Sequence, residues 1–310
     1  MGFPDAGPPA PAVFRDALRA GEQAPSVHNT RPWVFSGGDG SITVSGDVDR
    51  GLHVADPGAR ELVISCGAAL YNIRVALRAA GTVPEVTELP DPDRPALLAE
   101  VTAAGTAEPS DAELSLYAAI DERRTHRGPF ESSLDDTRIL ADLRAAAAAE
   151  SAGLRLITDD LLIRSLAGLV NASEYLHRRE LDHAEELHHW VRVPGSRLPG
   201  GVAADDIPAE ESAGEPLFAG RDFGADVQGR REASGTATGT VAILETPADT
   251  RSDRLAAGQA LERVLLAATA NGASAAFHTQ PLEEPRLRSF IAEHFCEGAH
   301  PQMIMRVGYA

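Results

Sequence analysis

Lysine is absent from this chain, because all 28 of its basic residues are arginines. A Schiff-base enzyme needs a lysine amine, and a nucleotide-binding P-loop needs its lysine, so the sequence disfavours both classes. Basic residues are also outnumbered: 46 acidic residues give the 310-residue chain a net charge of −18. Such a charge disfavours binding to nucleic acid or to an anionic membrane.

Cysteine is nearly as scarce, and long hydrophobic runs are not evident. Cys66 and Cys296 lie far apart in apolar surroundings, which favours buried, reduced thiols over a disulfide. The first residues, MGFPDAGPPAPAVF, lack the basic and apolar regions of a signal peptide. No run of about 18 apolar residues predicts a membrane span. We therefore expect a cytoplasmic protein without a membrane or nucleic-acid partner.

Several familiar site motifs are missing as well. No G-x-G-x-x-G follows a predicted strand, which disfavours a Rossmann nicotinamide domain. No G-x-S-x-G elbow is present, although a Ser–His–Asp triad stays open. Without H-E-x-x-H spacing or cysteine ligands the sequence predicts no metal, even though one predicted helix carries four histidines: His177, His183, His188 and His189.

Hydrophobic periodicity predicts alternating helices and strands after a disordered lead over residues 1–12. Residues 194–235 lose this periodicity, and we interpret them as a lid over a binding site, with Leu217, Phe218 or Phe223 facing the substrate. A disordered surface insert is the alternative. The sequence WVFSGGDGSITVSG predicts a hairpin. The other predicted strands are 84–88, 98–103, 153–157, TGTVAILET, 273–277 and HPQMIMRVGY, and the predicted helices are 13–22, 58–80, 111–123, 135–149, 159–192, 251–272 and 283–295.

Two of the predicted helices resemble each other. SCGAALYNIRVALRAAG and AAGQALERVLLAATANG align without a gap, which pairs Gly67 with Gly258 and Gly81 with Gly272. Chance agreement between two alanine-rich helices is the alternative, but the matched glycines favour a duplication. The sequence thus predicts an α+β chain of two similar halves, residues 13–108 and 109–310.

Two polar segments stand out from this framework. The arginine run, residues 123–127 of RRTHRGPF, combines three guanidinium groups with a hydroxyl, which suits a phosphate. Pairing with acidic neighbours on a solvated surface is the alternative. The opening segment, APSVHNTRPW at residues 24–33, is dense in polar and aromatic side chains. Taken alone, it is also compatible with an ordinary turn.

Taken together, these motifs resemble the nitroreductase-like flavoproteins, specifically the Acg branch, in which two nitroreductase-like halves are fused in one chain. The arginine run is similar to the family's RRS/T-x-R motif, and APSVHNTRPW to its APSxxNxQPW motif. The resemblance extends from about residue 13 to residue 310 and is weakest over 194–235. It implies a nitroreductase-like fold with two pseudo-symmetric halves, each a mixed β-sheet flanked by helices, so that a monomer mimics the family's dimer.

The resemblance also implies an FMN site between the halves. The arginine run of one half would hold the phosphate and ribityl chain, and the opening segment of the other half would lie against the ring. Because each half keeps only one of the two motifs, we expect one flavin. The cofactor-binding residues implied are Pro25, Ser26, Asn29, Arg31, Arg123, Arg124, Thr125, Arg127, Gln280 and Arg306.

The function implied is an FMN-dependent oxidoreductase that passes a hydride from NAD(P)H to a small acceptor such as a nitroaromatic or a quinone. Since the flavin carries the chemistry, no catalytic acid or base is predicted. Two alternatives stay open: a non-catalytic FMN-binding protein for storage or sequestration, and a specialised flavin-dependent dehydrogenase in a biosynthetic pathway.

Overall fold

A computed structural model of the chain describes residues 12–38, 40–192, 195–196, 200–207, 217–223 and 235–310. Residues 1–11 of the predicted lead, and most of the predicted lid, lie outside these ranges. The helices are α1 (Ala12–Gly21), α2 (Arg60–Ala79), α3 (Asp111–Glu122), α4 (Thr137–Ala148), α5 (Asp160–His177), α6 (Leu181–His189), α7 (Arg251–Ala270), α8 (Gln280–Glu283) and α9 (Pro285–Phe295).

The strands form two large sheets, which is compatible with an α+β protein. Their strand pairs are antiparallel, so the mixed sheets that the resemblance implied are wrong. The first sheet has the order β1-β2-β4-β3, and the second has the order β10-β11-β9-β6, with β5 paired to β11. Thr125 adds an isolated parallel bridge to Ala275 at the edge of the second sheet. The strands are β1 (Trp33–Gly38), β2 (Ser41–Gly46), β3 (Thr82–Glu88), β4 (Leu97–Thr106), β5 (Ser132–Ser133), β6 (Gly153–Ile157), β7 (Val191–Arg192), β8 (Val202–Ala203), β9 (Thr240–Thr246), β10 (Ser274–Phe277) and β11 (His300–Tyr309).

Helices α2 and α7 pack against each other at a glycine contact. A Cβ atom on Gly67 would overlap the Leu255 carbonyl oxygen, and one on Gly258 would overlap the Ile64 carbonyl oxygen. The backbones can therefore approach this closely only because neither position carries a side chain. These are the two glycines that the internal alignment pairs, so the resembling helices meet at equivalent positions.

Helix α2 corrects one expectation drawn from hydropathy. Its 20 residues are long and apolar enough to cross a membrane by length and composition, although the sequence suggested no such run. In the fold, 83% of its apolar window is buried. Contact with α1, α7 and the first sheet therefore accounts for its hydrophobicity, as in the core helix of a globular protein.

The long helix expected over residues 159–192 is wrong, because the chain forms α5 and α6 with a break between them. Tight turns close the end of α5: the Arg179 amide donates to the Leu176 carbonyl, and the Glu180 amide donates to the His177 carbonyl. The break has a direct consequence, since the rings of His177 and His183 stack with centroids 4.1 Å apart.

The helix expected over 283–295 is also interrupted, and here the cause is visible in the sequence. Glu284 adopts an extended conformation (φ −93°, ψ 109°) between α8 and α9. Proline disfavours a helical conformation in the residue before it, and Pro285 begins α9. The other predicted helices and strands are confirmed, with boundaries shifted by a few residues.

Candidate functional site

The opening segment connects α1 to β1 through a strained turn. His28, Asn29 and Arg31 have φ values of 46°, 54° and 50°, a left-handed region that side chains rarely adopt. The Ser26 hydroxyl accepts a hydrogen bond from the Arg31 amide at 3.0 Å, so it stabilises the turn. Clustered strain of this kind is typical of binding and catalytic sites.

The arginine run lies beside the opening segment, although the two are far apart in sequence. The Arg123 guanidinium donates to the Gln23 carbonyl at 3.2 Å across a separation of 100 residues. Its Nε atom lies 3.7 Å from the carboxylate of Glu262, which is fully buried. The His126 amide donates to the Ala275 carbonyl at 2.8 Å, which fixes the run to β10. The structure thus brings the two predicted motifs together.

The remaining basic residues of the predicted site differ in their surroundings. Arg124 is exposed, and its guanidinium donates to the nearby carbonyls of Asp121 and Arg123 at 2.8 Å each. Arg127 is half-buried and lies close enough for its charge to be felt at His28. Arg124 therefore points back onto its own segment, whereas Arg127 is placed near the opening segment.

Arg306 is buried in β11 and organises the neighbouring backbone. Its guanidinium donates to the Gly128 carbonyl at 3.1 Å and to the Thr238 carbonyl at 2.6 Å. Its Nε donates to His278 Nε2 at 2.7 Å, so that nitrogen accepts, and His278 Nδ1 donates to the Ala219 carbonyl at 3.1 Å. Burial, aided by the Arg306 charge, lowers the pKa of His278. His278 is therefore a neutral imidazole with a defined tautomer.

Some buried polar atoms of this region have no hydrogen-bond partner among the described residues. Gln280, at the start of α8, donates to Glu174 at 3.1 Å, but its Oε1 atom is unpaired. His28 Nε2 and Arg31 Nε are unpaired as well, whereas Arg123 Nε has only its 3.7 Å ion pair with Glu262. Since each such atom costs roughly 1–3 kcal/mol when desolvated, these groups are better suited to contact a polar ligand.

The described parts of the predicted lid cover the opening segment. Asn29 and Gly201 exchange two hydrogen bonds of 2.8 Å, one through the Asn29 side chain and one between backbones. Phe223 contacts the His28 ring edge-on at 5.9 Å, and Phe218 lies 5.1 Å from the His278 ring. Both phenylalanines are buried, whereas Leu217 is 38% exposed. Pro25 is half-buried at the start of the covered segment.

A buried charge cluster next to this cover was not anticipated from the sequence. Arg221 makes a two-pronged ion pair with Glu283, which follows Gln280 on α8. Burial alone would raise the pKa of Glu283, but the Arg221 charge, with hydrogen bonds from His183 and Arg221, lowers it below its usual range. Burial and the Arg221 charge lower the pKa of His28. The partners come from separate elements, and no motif spacing signals their meeting.

No protein-family model matches the chain, but whole-length relatives exist in Mycobacterium tuberculosis. "Putative NAD(P)H nitroreductase Rv3131" is 33% identical over 311 aligned residues, covering 99% of this chain and 87% of the relative. "Putative NAD(P)H nitroreductase acg" is 30% identical over 299 residues, covering 96% and 89%. "Uncharacterized protein Rv3127" is 32% identical over 303 residues, covering 96% and 87%. The chain therefore belongs to the nitroreductase-like family of oxidoreductases, in the branch that includes Acg.

Proposed function

We propose that the chain is an FMN-dependent NAD(P)H oxidoreductase that reduces a small acceptor such as a nitroaromatic or a quinone. The observation that carries this proposal is that the arginine run lies beside the opening segment. Arg123 donates to Gln23, the residue directly before that segment, and the charge of Arg127 acts on His28 within it. The flavin chemistry general to the family, and the NAD(P)H in the names of two relatives, point to the same reaction.

The donor and acceptor groups of this region fit FMN. The planar guanidinium group of arginine offers paired N–H donors that match the geometry of phosphate oxygens, and the arginine run supplies Arg123 and Arg127. A flavin ring edge offers both hydrogen-bond donors and acceptors, which suits the unpaired Arg31 Nε and Gln280 Oε1 atoms. Pairing these buried atoms on binding would remove their desolvation cost.

When bound, the flavin would supply hydride transfer between NAD(P)H and the acceptor. The chain would contribute binding, orientation and exclusion of water. Arg123, Arg127 and the Thr125 hydroxyl would hold the phosphate and the ribityl chain, while the opening segment would contact the ring. The buried Phe218 and Phe223 side chains would keep bulk water from it, which strengthens the polar contacts inside.

The test is the visible spectrum of the purified protein before and after FMN is added, followed by anaerobic titration with NADH and NADPH. We expect a yellow protein that is bleached by at least one nicotinamide and recoloured by a nitroaromatic or a quinone. A colourless protein that ignores added FMN would overturn the proposal.

A non-catalytic FMN-binding protein is the second candidate, and the lid residues that cover the opening segment favour it. The paired Asn29–Gly201 hydrogen bonds and the burial of Phe223 close the opening segment from one side. A bound flavin sealed in this way would not meet NAD(P)H. A yellow protein that neither nicotinamide bleaches anaerobically would favour this candidate over the oxidoreductase.

A further inference from the structure

Three ligand-type atoms converge on one point between α5, α6 and α8. His183 Nε2 lies 3.3 Å and His177 Nδ1 lies 3.7 Å from Glu283 Oε2, and the three side chains offer ligand atoms that all lie within 4.8 Å of one another. Ligand atoms around a tetrahedral zinc ion at about 2.0–2.1 Å are roughly 3.3 Å apart. The spacing is therefore close to that around a bound zinc ion, which would displace the proton that His183 Nε2 donates to Glu283.

The surroundings of His177 add a second indication. His177 Nε2 lies 3.3 Å from Glu284 Oε1, so this nitrogen donates its proton to that carboxylate. Its Nδ1 atom is buried and has no hydrogen-bond partner among the described residues. It lies 3.7 Å from Glu283 Oε2, and a cation bound between the two atoms would give His177 Nδ1 a partner. A carboxylate behind a ligating histidine is also common in metal sites.

Arg221 is the main opposing charge, because it binds both oxygens of Glu283. Two observations limit how strongly Arg221 opposes a bound cation. Glu174 and Glu61 lie close enough for their charges to act on Arg221, so the surroundings of the cluster carry acidic groups. A metal ion on Glu283 Oε2 would replace the hydrogen bond from Arg221 Nη1 and leave the one from Arg221 Nη2 to Oε1, since ligating carboxylates are usually hydrogen-bonded by a second group.

We propose that His177, His183 and Glu283 form a binding site for a divalent transition-metal ion of the zinc class. Two imidazoles and one carboxylate are a ligand set that such ions favour. Three protein ligands leave a fourth position for water or another donor, and the unpaired His28 Nε2 atom of the opening segment lies near enough to be electrostatically coupled to Glu283. The ion would join α5, α6 and α8.

The test is zinc retention by the full chain. Protein stripped with EDTA is incubated with excess Zn²⁺, passed through a desalting column and analysed by mass spectrometry for metal and for protein. We expect about one zinc ion per chain, and a rise in melting temperature that depends on zinc concentration. Retention of only trace zinc, with an unchanged melting temperature, would overturn the proposal.

Histidine variants separate this site from surface binding. H183Q and H177Q should each lower zinc retention at least tenfold. The matched control is the double variant H188A/H189A, which removes two exposed histidines from the same region and should retain zinc. Equal loss in the control, or full retention in H183Q, would contradict the assignment. If the glutamine variants fail to fold, Co²⁺ bound to the unaltered chain should give visible absorption bands that stoichiometric Zn²⁺ abolishes, and the absence of these bands would overturn the proposal.

Discussion

At the scale of single residues, Glu262 shows how the arginine run is tied to the core. Burial raises the pKa of this carboxyl from its usual 4.5 to about 7, and the Arg123 charge opposes the rise only in part. The folded chain therefore holds a proton that the unfolded chain releases between pH 4.5 and 7. The free energy of unfolding must fall as pH rises through this window.

Glu262→Gln should remove this fall in the free energy of unfolding with rising pH, because glutamine resembles the protonated carboxyl group. We expect the variant to be more stable than the unaltered chain by about 1–3 kcal/mol at pH 8, with a much smaller difference at pH 5. Urea unfolding of flavin-free protein at both pH values measures it. A gain of the same size at pH 5 and pH 8 would show that the titration of Glu262 is not its cause.

Arg127→Ala should weaken FMN retention, because a guanidinium bound to a phosphate contributes about 1.5–3 kcal/mol. That range corresponds to a dissociation constant raised roughly 10- to 150-fold, measured by quenching of FMN fluorescence. Arg138→Ala, which removes an exposed arginine at the start of α4, serves as the control and should bind FMN normally. Equal affinity of Arg127→Ala and Arg138→Ala would refute the phosphate role of Arg127.

At the scale of helices and strands, the α2–α7 contact depends on glycine. Gly258→Ala places a methyl group onto the Ile64 carbonyl and Gly67 Cα, and backbone atoms cannot move aside as a side chain can. Overpacking of this kind typically costs 1–3 kcal/mol, sometimes more, so we expect a loss of about 2 kcal/mol or more in the free energy of unfolding.

Gly168→Ala provides the matched control within a helix. A Cβ atom at Gly168 in α5 meets nothing within 4 Å, so alanine should stabilise the chain by about 0.5–1 kcal/mol through helix propensity. Opposite signs for the two glycine variants in urea unfolding are the expected result. A neutral Gly258→Ala would mean that the two helices separate without cost.

The elements that the sequence predicts most accurately are those with a local signal, such as a glycine at a helix end or in a turn. Helix α2 ends just before Gly81, which has a φ of 77°. The glycine-rich stretch between β1 and β2 likewise marks the turn of their hairpin in the sequence. No glycine or proline lies in the break between α5 and α6, so the sequence carries no local signal for it and tertiary packing decides where the helix ends. The Arg221–Glu283 pair escaped prediction for a similar reason: its members are separated by 62 residues, and ion pairs at that range follow no spacing rule.

At the scale of the whole molecule, one chain already contains both motifs of the proposed flavin site. We therefore expect FMN to bind with a stoichiometry of one per chain and the flavin-bound protein to be monomeric. Light scattering coupled to size-exclusion chromatography, with flavin absorbance recorded on the same peak, measures both quantities. Two flavins per chain, or flavin confined to a dimer peak, would contradict the prediction that each half contributes one motif.

The contact between Arg123 and Gln23 has a consequence for how the site responds to dilution. In a dimer assembled from separate subunits, two such segments part when the protein concentration falls below the dissociation constant of the dimer. Here a continuous chain links them, so their effective concentration is set by the fold and by the length of the connecting chain. The proposed site should therefore remain assembled at any protein concentration, including the few copies present in a sparsely expressing cell.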